Sequence, residues 1–125
     1  MKTLKGKILI ADDVEHVRRL LAEFLSLHGY EVYMVRDGKE ATEALEKDRS
    51  FSLIITDSGM PNMDGIDLVI HIRNLGINVP IIGMSCENKE NEFRRAGADH
   101  FLLKPFHLDT LQSILRMILN EQPLI

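Results

Sequence analysis

Residues 53–65 read LIITDSGMPNMDG. Leu53, Ile54 and Ile55 form an apolar run that passes through Thr56 and stops on a carboxylate, Asp57. Behind it the chain turns irregular, with Gly59, Pro61 and Gly65 in quick succession. A continuous apolar run of this length reads as a strand covered on both faces, and the glycines and proline read as a tight loop. A covered strand that ends on an acid raises the question of what the other strand ends carry.

Working outward, the run extends over Phe51–Thr56 (FSLIIT), and four similar runs flank it. These are Lys7–Ala11 (KILIA), Glu31–Val35 (EVYMV), Val79–Met84 (VPIIGM) and His100–Leu103 (HFLL). Helical patterns lie between them. Val14, Val17, Leu21, Phe24 and Leu25 share one face, and Gly29 follows as a stop signal. Residues 39–47 (KEATEALEK) form a polar helix with Ala41, Ala44 and Leu45 inward. Leu68, Ile72 and Leu75 mark a third helix, opened by Asp64 as N-cap and closed by Gly76. Residues 87–96 (ENKENEFRRA) are weakly periodic, with Phe93 almost the only large apolar residue. Leu108, Leu111, Ile114, Leu115 and Ile118 make the last helix. The alternation predicts an α/β fold: a doubly wound, five-stranded parallel sheet with helices on both faces. In such sheets a site lies beyond the carboxyl ends of the strands.

Composition narrows the function classes. The 125 residues suffice for one domain with its own core. Residues 1–122 are expected to form it, with 123–125 as a tail or the start of a linker. A net charge of -4 gives no footprint for direct nucleic-acid binding. No apolar stretch approaches the roughly 18 to 20 residues of a membrane span. One cysteine rules out an internal disulfide framework, so a cytoplasmic protein is expected.

The strand ends carry Asp12 and Asp13 after the first run, Asp57 after the third, Ser85 after the fourth and Lys104 after the fifth. Each has an ordinary alternative. Asp13 would cap the first helix, Ser85 the fourth, Asp57 would shape a turn, and Lys104 would be a solvated loop lysine. Their convergence on one rim favours chemistry. Clustered carboxylates repel, so at least one pKa should rise unless a cation intervenes. Oxygen donors with open positions suit Mg²⁺. Carboxylates, a metal and an opposing ammonium together stabilise charge on a transferring phosphoryl group. Asp57 is then the candidate nucleophile, Ser85 a donor to a phosphoryl oxygen, and the Gly59 carbonyl a further metal ligand.

Taken together, Asp12-Asp13, Asp57 with Met60-Pro61-Asn62-Met63-Asp64-Gly65, Ser85, and Lys104-Pro105-Phe106 resemble the receiver domain of two-component response regulators. The resemblance covers essentially the whole chain. It implies that Asp57 takes a phosphoryl group from a histidine kinase or phosphotransfer protein and signals to a downstream protein by a conformational shift. It implies Mg²⁺ on Asp13, Asp57 and the Gly59 carbonyl, with Asp12 acting through water. It also implies that Ser85 and Lys104 ligate the phosphoryl oxygens, that the Lys104–Pro105 bond is cis, and that Ser85 and Phe101 form the switch. Four departures stand out. From Ser85 to Lys104 the chain is about three residues shorter than the family pattern, nearly one helical turn, which predicts a shortened fourth helix. Gly59 stands where the family mostly carries a side chain, Cys86 where alanine is more usual, and Phe101 lacks a tyrosine's hydroxyl.

Other candidates weigh less. The histidines at 16, 28, 71, 100 and 107 have no metal-ligand spacing, and His16 reads as a surface residue despite its place near the acidic rim. Cys86 reads as a small buried hydrophobe rather than a redox sensor. No Gly-rich phosphate loop is present. A true hydrolase working through an aspartyl phosphate needs a second acid where Gly59 stands. The competing functions are a phosphorylation-independent interaction module, a receiver excised from a larger regulator or hybrid kinase, and a slow phosphatase.

Overall fold

The computed structural model describes residues 4–119. Tail residues 123–125, and the end of the expected 1–122 domain, lie outside the described residues. The element order is β1 (Lys7–Ala11), α1 (Glu15–Leu27), β2 (Glu31–Val35), α2 (Gly38–Lys47), β3 (Leu53–Asp57), α3 (Gly65–Asn74), β4 (Ile81–Ser85), α4 (Glu90–Ala96), β5 (His100–Leu103) and α5 (Leu108–Leu119). The strands pair in parallel in the order β2-β1-β3-β4-β5.

Side-chain alternation along the strands explains why the runs are continuously apolar. Ile8 and Ile10 of β1, with Leu53 and Ile55 of β3, pack against Leu21 and Leu25 of α1 and Leu111 and Leu115 of α5. Leu9 and Ile54, their neighbours, face the opposite layer of Ala41 and Leu45 from α2, Leu68 and Ile72 from α3, and Phe93 from α4. β3 and β4 are buried at every position. β2 departs from this expectation: Glu31, Tyr33 and Met34 are exposed because the strand lies at the sheet edge.

Several boundaries shift from the sequence expectation. β3 and β4 start two residues later than the apolar runs and reach one residue further, to Asp57 and Ser85. Pro80 has no N–H for the ladder, so β4 begins after it. Phe51 is buried through its ring, beside Tyr33 and under the Lys7 ammonium, and not through strand pairing. α4 begins at Glu90 and has only 7 residues, because the Glu87 N–H turns back to Ser85 Oγ. Val14, expected on the inner face of α1, is its N-cap residue and is exposed. Asp64 caps α3 as expected, its carboxylate accepting the Asp67 N–H at 2.9 Å. The strand order reverses between β1 and β3, and helices leave to opposite faces there. The crevice above those two strand ends is where the acids collect.

Candidate functional site

Asp12 follows β1 and is fully buried. Its Oδ1 accepts the Val14 N–H at 2.9 Å and its Oδ2 accepts Lys104 Nζ at 2.8 Å. Asp13 is exposed and makes no capping bond, so the helix-cap alternative for it falls; the Asp12 carboxylate holds the turn into α1. Asp57 ends β3 with a side chain 12 % exposed, and its Oδ1 lies 3.0 Å from Lys104 Nζ. Carboxylate oxygens of Asp12, Asp13 and Asp57 gather within 4.8 Å of one another. Such a set of hard oxygen donors fits a divalent cation of the Mg²⁺ type. Lys104 is not a solvated loop lysine: its ammonium is mostly buried between two carboxylates, and the Lys104–Pro105 bond is cis.

The electrostatics follow from this packing. Burial pushes the Asp57 carboxyl above its usual range, and the nearby Asp12 charge adds to the rise, against the opposing pull of Lys104. Burial by itself would lower Lys104, but hydrogen bonds to Asp12 and Asp57 outweigh it and raise the ammonium. The rise at Asp57 is thus chiefly the cost of burial; the Asp12 charge adds to it, and Lys104 offsets only part of the sum.

The loop after Asp57 folds back on the end of β3. The Gly65 N–H donates to Ser58 O at 2.9 Å, and a Cβ at Gly65 would stand 1.8 Å from the Asp57 carbonyl oxygen. Gly59 is exposed, with open space around it. Asn62 has a left-handed backbone (φ 67°) and its amide donates to Asp37 Oδ2 at 2.8 Å. Asp37 also caps α2 by accepting the Glu40 N–H at 2.8 Å. One buried acid thus ties the loop after β3 to the start of α2. Sequence reading misses this clip, because its partners stand 25 residues apart and no local pattern joins them.

Ser85 is buried at the end of β4. Its Oγ accepts the Glu87 N–H at 3.1 Å and the Ser58 hydroxyl at 2.8 Å. It does not cap α4, whose first turn begins at Glu90 beyond an uncapped Lys89. Ser58 is missed as well; a serine after an acid in a loop carries no distinguishing signal. Phe101 is half-buried, its ring centroid 5.8 Å from that of Phe93. His16 is exposed, as expected; Cys86, expected to be buried, is exposed as well, because it lies just past the end of β4.

Among the described residues no helix is long and apolar enough to cross a membrane. Residues 8–116 match the family model of the response regulator receiver domain. Response regulator MprA of Mycobacterium ulcerans is 36 % identical over 121 residues, covering 94 % of this chain and 52 % of that protein. The chain thus spans about half the length of such curated relatives. The chemotaxis response regulator CheY4 of Vibrio cholerae superposes with a TM-score of 0.85 at 34 % identity, over 93 % of this chain and 99 % of that one. The receiver domain of sensor histidine kinase PA1611 from Pseudomonas aeruginosa PAO1 has a magnesium ion coordinated in its active site cleft. It matches with a TM-score of 0.82 at 30 % identity, over 92 % of this chain and 98 % of that one. With the acids at the reversal of strand order and the lysine from the end of β5 between them, this chain belongs to the response regulator receiver domains of two-component signal transduction.

Proposed function

We propose that Asp57 is the phosphoacceptor of this receiver, taking its phosphoryl group from a histidine kinase or a phosphotransfer protein. The observation that carries the reading is the position of Lys104 Nζ, 2.8 Å from Asp12 Oδ2 and 3.0 Å from Asp57 Oδ1. A buried ammonium against the nucleophile opposes part of the cost of desolvation and orients one Asp57 oxygen. An Asp57 oxygen attacks the donor phosphorus, the donor's P–N bond breaks, and its electron pair leaves with the imidazole. Lys104 then faces the phosphoryl oxygens, and the Ser85 hydroxyl turns to donate to one of them. Asp13, Asp57 and the Gly59 carbonyl would hold Mg²⁺, with Asp12 acting through water; when bound, the ion supplies positive charge beside the transferring group.

The module signals to a downstream protein through Ser85 and Phe101, and its own phosphoryl group is the only one it turns over. Residues 1–122 act as one unit. The lone cysteine suits a reducing compartment, the cytoplasm. The test is incubation with acetyl phosphate and Mg²⁺ followed by intact mass. One phosphoryl group is expected on the wild type and none on Asp57→Asn; equal labelling of the variant at the same peptide overturns the assignment.

A further inference from the structure

Ser85 Oγ has two lone pairs, and both are engaged, by the Glu87 N–H at 3.1 Å and the Ser58 hydroxyl at 2.8 Å. Strand alternation sets the direction of these bonds. Ser85 shares the face of Ile81 and Gly83, which packs against α4, whereas Asp57 shares the face of Leu53 and Ile55, which packs against α1 and α5. Ser58 follows Asp57 and lies on the Ser85 side. To reach a phosphoryl group on Asp57, the Ser85 hydroxyl must turn away from Ser58 and give up that bond. The Glu87 contact is to a backbone N–H, which every side chain at 87 other than proline retains. The Ser58 hydroxyl is a side-chain choice that a single substitution removes.

We propose that Ser58 is a latch on the switch: a positioning residue that holds the Ser85 hydroxyl on its own side of the sheet and sets the resting population of the inactive state. The latch rests on phosphorylation at Asp57 as the trigger. Phosphorylation then competes with a defined bond, and the equilibrium shifts by the difference between the two contacts. A neutral hydrogen bond of this kind corresponds to roughly a three- to tenfold bias.

Two measurements test the latch. In the unphosphorylated protein, side-chain three-bond couplings of Ser85 should report one rotamer in the wild type and in Ser58→Thr, and an averaged value in Ser58→Ala. This readout needs no phosphoryl group. Titration with beryllium fluoride in Mg²⁺ should then give about three- to tenfold tighter binding for Ser58→Ala than for the wild type. Ser58→Thr should restore the wild-type value, and Ser58→Ala should have no effect in a Ser85→Ala background. Unchanged Ser85 couplings, or the same gain without the Ser85 hydroxyl, overturn the latch. A wild type that neither binds the mimic nor accepts a phosphoryl group, with the couplings as expected, overturns the phosphoacceptor reading and leaves Ser58 a static contact, which also refutes the switch role.

Discussion

At the scale of single residues, two glycines in one loop have opposite roles. A Cβ at Gly65 would meet the Asp57 carbonyl oxygen at 1.8 Å, and that oxygen already accepts the Thr56 hydroxyl at 2.9 Å. Backbone must move, and the backbone in question carries the acceptor acid. Gly65→Ala should cost about 1–3 kcal/mol or more, as overpacking does. It should also slow phosphoryl uptake by displacing Asp57. A Cβ at Gly59 would have nothing within 4 Å, so Gly59→Ala should change stability by no more than about 0.5 kcal/mol. Denaturant melts of the two variants make the comparison; equal losses would mean the loop is not folded against the strand end. In sequence nothing separates the two by the space around them. Their difference lies in how closely α3 returns to β3, a distance that no local pattern encodes.

The elements show where sequence reading succeeds and where it stops. Apolar runs and helical spacing are enough for the order of strands and helices, because each inner strand is lined by two cores and each helix by one. The acids at the strand ends are legible for the same reason: a covered strand has one exit, and a carboxylate there has few other uses. Arg73 is not legible. In the last turn of α3 it reads as a solvated charge, yet its guanidinium donates to the carbonyls of Gly97, Ile77 and Val79 and to Asp99, joining α3 to the end of α4 and the approach to β4. The shortened α4 is legible in length but not in anchoring. Its 7 residues are too few for a helix to persist alone, and fully buried Phe93 fills the space that Gly83 leaves on β4. A Cβ at Gly83 would stand 2.4 Å from that ring, so Gly83→Ala should expel Phe93 and speed amide exchange across 90–96 far more than across α3. Unchanged exchange would show that α4 is held by other contacts. The clip at α2 carries a pH signature. Burial tends to raise the Asp37 carboxyl, but hydrogen bonds from the Glu40 N–H, the Asn62 amide and the Lys39 N–H outweigh it and hold the pKa below the usual value. A lowered pKa means stability that is full above the unfolded value and is lost as pH falls through the folded one. Asp37→Ala should therefore cost about 1–2 kcal/mol at neutral pH and progressively less in acid, measured as urea midpoints across pH.

For the molecule as a whole, the doubly wound order concentrates charge at one end of the sheet, and the fold bears a cost for it. Asp57 runs opposite to Asp37: its folded pKa is raised, so its contribution favours folding below the unfolded pKa and is lost as pH rises through the folded value. At neutral pH the ion-free site therefore holds back the stability of a domain whose core is otherwise well packed. A divalent cation on Asp13 and Asp57 should reverse this, since it binds the ionised carboxylates of the folded state and finds no such cluster in the unfolded chain. Linkage sets the size: at ten times its Kd, Mg²⁺ should add about 1.4 kcal/mol, a few degrees in Tm for a domain of this size. The gain should shrink as pH falls and Asp57 takes up a proton in competition with the metal. Asp13→Ala should abolish it, because Asp13 is the exposed acid of the cluster and does not cap the helix behind it, so its loss is not confused with a broken cap. Scanning calorimetry at several pH values, with and without Mg²⁺ at matched ionic strength, reads all three effects. A Tm that Mg²⁺ leaves unmoved at neutral pH would mean that Lys104 alone balances the acids, and that the cluster is an ion-pair network rather than a metal site.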